Sequence, residues 1–555
     1  MTAKQKRDDL PARGVLERLR RPSPRAQAYA FVAITILSAV YLTISTVTSG
    51  RDLLPKSHDE HSYAIQTRML ARGRLWMPQH SLADFFESFQ MLARPVYASI
   101  YFPGSALMYV PGAWLSLPPW VMPAIVTGLA LGLSYLLVTR LVDGVAGLLV
   151  VLLALAGQWF RLNATLVMSQ SPMMLLGLGV LLAWLRWRET KQVKWAACIG
   201  ACAGWAAIVR PVDALAFAIP VGAAMLLDFR GLPPRRIATT CAAVVLAALP
   251  FLSLQLVLNK GTTGDWLRTP HTLYLQTDQP GTTYGFHPFD AQARPRSMLA
   301  QKAVYYDGFM RPEVEKHRAD RLVHSAWERV KLTVDVLLPA KVLLLFLVAG
   351  IFRLTDVPRA VVAAVPVVFF LLYLPYTFYM PHYVIPIVTP VLLLVVLGAD
   401  RIAGFWTSAV AHRRVSAALT VALAALALFS VPELNPSVND DQIFAPTGTI
   451  LRQAIGQRIQ PPAVVLVGYD AGAKPHDEPV YNSGVAWPDD APVIFAHDLG
   501  ARNVELLKYY DRTQPRRKYY RFDRKAFRLY GPATAAELAA AIMVRKAEAT
   551  SRSAP

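Results

Sequence analysis

Two adjacent carboxylates, Asp59 and Glu60, stand in the run Ser57-His58-Asp59-Glu60-His61-Ser62-Tyr63, about ten residues past the first long apolar stretch. A carboxylate is already ionised near pH 7, so it can accept a proton from a hydroxyl that is turning into a nucleophile. Partial removal from water makes it more basic still. The same pair also suits a quieter role. Ser57 with Glu60 three residues on is a capping-box pattern, and acids in a first helical turn are favoured by the helix dipole. The sequence leaves both readings open.

Three further positions have side chains suited to an anionic substrate. Arg210 lies between two apolar runs in Ile208-Val209-Arg210-Pro211-Val212-Asp213. A guanidinium pairs with phosphate oxygens bidentately and would stabilise charge growing on a departing phosphate. Asp213 is placed to orient it; the alternative is a turn residue that snorkels to lipid headgroups. Arg94, before Pro95, is either a second phosphate contact or an interfacial anchor. His382-Tyr383 follows Pro381 at the start of an apolar run, as a substrate contact or as a structural histidine. No Walker loop, GxGxxG, HExxH or GxSxG motif is present. His271, His287, His476 and His497 show no metal-ligand spacing, and Cys198, Cys202 and Cys241 lie in apolar runs with no zinc or disulfide pattern. No cofactor is expected and no metal ligand is assigned, while metal dependence stays open.

The elements that must hold these residues are membrane helices. Of 555 residues, 54% are hydrophobic and 17% charged, too apolar for a soluble chain of this size. A bilayer core needs about 20 apolar residues per helix. Apolar runs centre on 27–48, 121–139, 144–157, 171–187, 195–209, 212–227, 238–257, 336–352, 360–378, 384–399 and 415–431, giving a polytopic α-helical protein of about 11 spans. The short connections carrying Arg186, Arg188, Lys191, Lys194, Arg230, Arg235, Arg236, Arg353, Arg359, Arg401, Arg413 and Arg414 are basic, which places them in the cytoplasm. That accounts for the net charge of +20 without nucleic acid, for which no binding motif exists.

Three regions follow: a basic cytoplasmic N-terminus (1–26), a transmembrane domain (27–431) and a C-terminal domain (432–555). The odd span count puts the last outside, with outer loops 49–120 and 258–335. The first loop should contain a helix over 58–72, closed at Gly73 and lying along the membrane interface. The tail reads as a small α/β unit, with strands at 463–467 and 492–496, a helix at 501–511 and another near 535–547 opened by a Thr534/Glu537 capping box. There Asp470, His476 and Asn482 either touch an acceptor or serve the fold. No internal repeat is visible, which counts against a transporter.

With these residues in place, the chain resembles the GT-C superfamily of integral-membrane glycosyltransferases, which includes protein O-mannosyltransferases and lipid A aminoarabinose transferases. The points of likeness are Asp59-Glu60 after the first span, Arg94-Pro95 with Tyr101-Phe102-Pro103-Gly104, Arg210-Pro211, and Pro381-His382-Tyr383 with Pro386. The resemblance implies a GT-C-like bundle in the inner (plasma) membrane and a sugar donor carried on a polyprenyl phosphate. The acceptor would be a glycan, lipid or protein. It assigns the base to Asp59 with Glu60 in support, and substrate binding to Arg94, Arg210, His382 and Tyr383. Two departures stand out. Many members have Arg-Tyr where this chain has His382-Tyr383. Many have an acid in the second outer loop, where this chain has Asn163, Ser169 and Gln170. The rival expectations are a lipid-linked-sugar flippase or transporter, and a non-catalytic scaffold.

Overall fold

In lipid a segment must satisfy its own backbone hydrogen bonds, and a helix does so within one run of chain. In the computed structural model, which describes residues 15–51, 53–297, 299–430, 446–472 and 477–542, each of the eleven apolar runs carries a helix. Among the described residues, six helices are long and apolar enough to cross a bilayer: Pro24–Thr48, Val121–Leu141, Pro211–Phe229, Pro234–Thr263, Pro381–Ala403 and Ala409–Phe429. Gly144–Ala156, Val193–Ala207 and Val357–Tyr373 are apolar but shorter. Leu37, Leu246 and Phe429 stand exposed on the outer helices, a surface untenable in water and natural against lipid tails. This is a helical membrane protein.

Helix pairs approach closely where side chains are smallest. Gly200 and Gly204, one turn apart, face Val244 and Ala248 on Pro234–Thr263, and a Cβ at Gly200 would collide with the Val244 carbonyl. Small residues spaced by four let helix backbones touch where burial from water offers no drive to associate.

The first long loop folds rather than wanders. Ser57 and Glu60 form the expected capping box, and the helix runs His58–Ala71. It does not lie along an interface. Ten of its fourteen residues are buried, including His58, His61 and Gln66, so protein covers it on nearly every side. Beyond it, Met77–Pro78, Val96–Ser99 and Met91–Leu92 make a small antiparallel sheet with Val96–Ser99 central.

Part of that cover comes from the tail. Its four strands lie in the order Val493–His497, Ala463–Val467, Lys518–Asp523, Arg528–Ala533, the first three parallel and the last antiparallel. A helix spans Asn503–Thr513, and Thr534 and Glu537 cap the one at 535–542 reciprocally. Phe85 and Phe86 of the first loop enter the apolar core of this sheet beside Val464, Ile494 and Tyr510. Tyr481 and Ala486 in turn pack on Ile65 and Met69 of the Asp59 helix. Loop and tail thus share cores. Of the expected features, residues 1–14 of the basic N-terminus, 431–445 at the start of the tail, His476 and the end of the last helix lie outside the described residues.

Candidate functional site

The capping box decides which way the two acids point. Glu60 is spent on backbone: its carboxylate accepts from Lys56 N (3.2 Å), Ser57 N (3.3 Å) and, across the fold, Val167 N (3.2 Å). Successive side chains on a helix lie about 100° apart, so fixing Glu60 inward to the segment at Val167 turns Asp59 elsewhere. Asp59 lines a cavity of about 380 Å³. The Tyr101 hydroxyl donates to it at 2.5 Å, and Tyr63, one turn along the helix, stacks on the Tyr101 ring with centroids 4.4 Å apart.

Opposite stands Arg210, the residue that opens helix Pro211–Phe229. Its guanidinium donates from Nε to Asp213 (2.6 Å), from Nη1 to Ser169 Oγ (3.2 Å) and from Nη2 to the Tyr373 hydroxyl (2.7 Å). The Tyr373 hydroxyl donates in turn to the other oxygen of Asp213. The face of the guanidinium lies over the Tyr383 ring, 4.8 Å from its centre. Three of the five N–H donors are engaged by these contacts, so an anion in the cavity can still be gripped. The Arg210 turn is tied to the first loop at Gly104, whose N–H donates to Ile208 O at 2.7 Å. A Cβ at Gly104 would fall 2.5 Å from that carbonyl oxygen, so only glycine allows the approach.

Electrostatics set the protonation states. Burial raises the pKa of Asp59, against the opposing pull of the Tyr101 hydrogen bond and the Arg210 charge. Its affinity for a proton therefore exceeds that of an ordinary aspartate. His271 is driven down to about 4 by burial and then by Arg210, which keeps it neutral. Burial, with Asp59 adding to it, holds Tyr101 well above its usual value, so it remains a donor.

Four of the six residues expected at the site converge: Asp59, Arg210, His382 and Tyr383 all line the cavity. Two do not. Glu60 is the structural partner just described. Arg94 is half-exposed and paired with Asp84 at 2.7 Å, a carboxylate that Arg502 of the tail also holds at 2.9 Å. Its charge is committed to the junction of loop and tail. Ser169 and Gln170 do face the cavity; Asn163 does not line it. Sequence reading missed the aromatic wall of Tyr63, Tyr305, Tyr373 and Tyr376, together with His271. The i, i+4 spacing of Asp59 and Tyr63 on one helix was a usable signal for the first; the others arrive from distant segments.

No protein-family model matches the sequence, and no curated protein matches it. Solved structures do. ArnT from Cupriavidus metallidurans bound to undecaprenyl phosphate superposes with a TM-score of 0.52 at 14% identity, over 85% of this chain and 86% of that one. The chain therefore shares its fold with that ArnT. The apo state of the same ArnT (TM-score 0.49, 16% identity, 84% and 86% coverage) and the Archaeoglobus fulgidus oligosaccharyltransferase complexed with Zn and sulfate (0.44, 14%, 78% and 60%) also match. The fold shared with the undecaprenyl phosphate-bound ArnT extends over most of the chain, as the resemblance of the sequence led one to expect.

Proposed function

We propose that the chain is an inverting membrane glycosyltransferase that moves a sugar from a polyprenyl-phosphate carrier to an acceptor hydroxyl. The observation that carries this reading is the meeting, in one cavity at the end of a helical bundle, of a carboxylate of raised basicity and a buried guanidinium with donors to spare. The shared fold with an ArnT solved bound to undecaprenyl phosphate supports a lipid-linked phosphate as the donor's carrier.

Asp59 takes the proton of the acceptor hydroxyl. The freed oxygen attacks the anomeric carbon, the bond from that carbon to the phosphate oxygen breaks with its electron pair going to the oxygen, and configuration inverts. Arg210 faces the negative charge that accumulates on the leaving phosphate, and Tyr383 and Tyr373 hold the guanidinium in place. The rings of His271 and His382 complete the wall. In this scheme the long loops and the tail face outward from the inner membrane, with the N-terminus in the cytoplasm, and the acceptor is a glycan, lipid or protein reached from that side.

The test is reconstitution of the purified chain in liposomes with a polyprenyl-phosphate sugar and a cell-envelope extract as acceptor. Radiolabel passing from donor to acceptor supports the proposal. Donor crossing the bilayer with no transfer would replace it with a flippase.

A further inference from the structure

The cavity wall is chemically narrower than sugar transfer requires. Among the described residues that line it, none apart from Asp59 and the Arg210–Asp213 pair is a carboxylate, lysine or arginine. The rest is aromatic rings, hydroxyls, imidazoles, apolar side chains and three amides: Gln90, Gln170 and Gln279. Two of those amides are buried with an atom lacking any hydrogen-bond partner among the described residues, Oε1 of Gln170 and Nε2 of Gln279. Buried polar atoms are almost always paired, so amides of the cavity wall that keep an unpaired atom are the ones a ligand would satisfy through a turn of the side chain. An amide offers both a donor and an acceptor, and a ring hydroxyl answers either. Flat aromatic faces beside such amides suit the apolar C–H face of a pyranose or furanose ring.

Resting on the transferase reading above, we infer that the transferred sugar is uncharged, its hydroxyls read by Gln170 and Gln279. Each charged alternative meets a specific obstacle. A uronic acid would bring a carboxylate into a cavity where Arg210, the one cation among the described lining residues, is held by Asp213 and is needed by the donor phosphate. Left unpaired and out of water, that carboxylate carries a heavy desolvation cost. An amino sugar would bring an ammonium. Asp213 already accepts from Arg210 and Tyr373, so Asp59 is the carboxylate left to receive it. That contact would stabilise the ionised form of Asp59 and weaken the base where the reaction needs it. The Tyr383 ring is already covered by Arg210.

The experiment offers the liposome-reconstituted chain three donors on one polyprenyl phosphate with one anomeric configuration: a neutral hexose, its uronic acid and its amino-sugar analogue. The neutral donor should be used with a kcat/KM at least about tenfold above both others, the kind of margin that buried polar recognition produces. Gln279→Leu and Gln170→Leu should each erode that margin by slowing the neutral donor. Equal or preferred use of a charged donor overturns the inference and leaves the transferase reading standing. Unchanged rates in both glutamine variants also overturn it. Failure of all three donors removes the transferase reading, and the inference with it.

Discussion

Lys302 and Asp59 are both charges withdrawn from bulk water, and the chain treats them differently. Lys302, 2% exposed, donates to Glu87 of the first loop at 2.8 Å and to Asp278 of the long loop 258–335 at 2.5 Å, beneath the Tyr274 ring. The tail closes the junction: His497 meets the Glu87 carbonyl at 2.6 Å, and Gln301 donates to Glu478 at 3.1 Å. Asp59 has the Tyr101 hydroxyl and a cavity. The two carboxylates respond in opposite directions. Burial works to raise both, but at Glu87 the Lys302 charge and hydrogen bonds win and its pKa falls below the usual range, whereas at Asp59 burial wins. A charge matched on all sides ties three segments together. A charge left half-answered keeps its reactivity, at some cost to stability.

Substitutions should separate these roles. Asp59→Asn is expected to lower single-turnover transfer by about 10²–10⁴-fold, the range for loss of a general base. Its melting temperature should not drop. A carboxylate whose folded pKa lies above its unfolded value loses stability as pH rises through that interval, so removing the charge relieves a penalty at neutral pH. Lys302→Ala should do the reverse, costing roughly 3–5 kcal/mol in a denaturation experiment because it strands two carboxylates. Arg210→Gln is expected to reduce kcat/KM for the lipid-linked donor by about 10²–10³-fold, as loss of one preorganised donor to a developing anion does. Arg94→Ala, at an exposed ion pair, should cost no more than about 1 kcal/mol and leave turnover unchanged. Arg94→Ala that abolished donor binding would return that residue to the site.

What could be read in the sequence was whatever depends on local order. The apolar runs found their helices, and Asp59, Arg210, His382 and Tyr383 were recognisable because each sits at a fixed place relative to a run. The β-branched stretch at Ala463–Val467 was legible for a similar reason. Arg94 and Glu60 had the right type and position but the wrong partners: Asp84 and the Val167 backbone come from elsewhere in the fold. Strand Lys518–Asp523 was hidden by its charges. Its neighbour Arg517 looks like surface, yet it is buried and donates to the carbonyls of Ala463, Pro492, Asp489 and Ala491, stitching the sheet to the loop before Val493. The interfacial helix failed because its cover, Tyr481 and Ser483, lies more than four hundred residues away, where Tyr481 stacks on His61 and bonds His58 at 2.8 Å.

The pH dependence of kcat/KM, measured for the wild type and for Tyr101→Phe, tests the assignment of the base most directly. The wild-type acid limb should fall above the ordinary aspartate range, because burial raises Asp59. Removing the Tyr101 hydrogen bond, which favours the ionised form, should move that limb to still higher pH while the protein stays folded. A limb at the ordinary aspartate value, or one that Tyr101→Phe leaves in place, would contradict the account and move the base elsewhere.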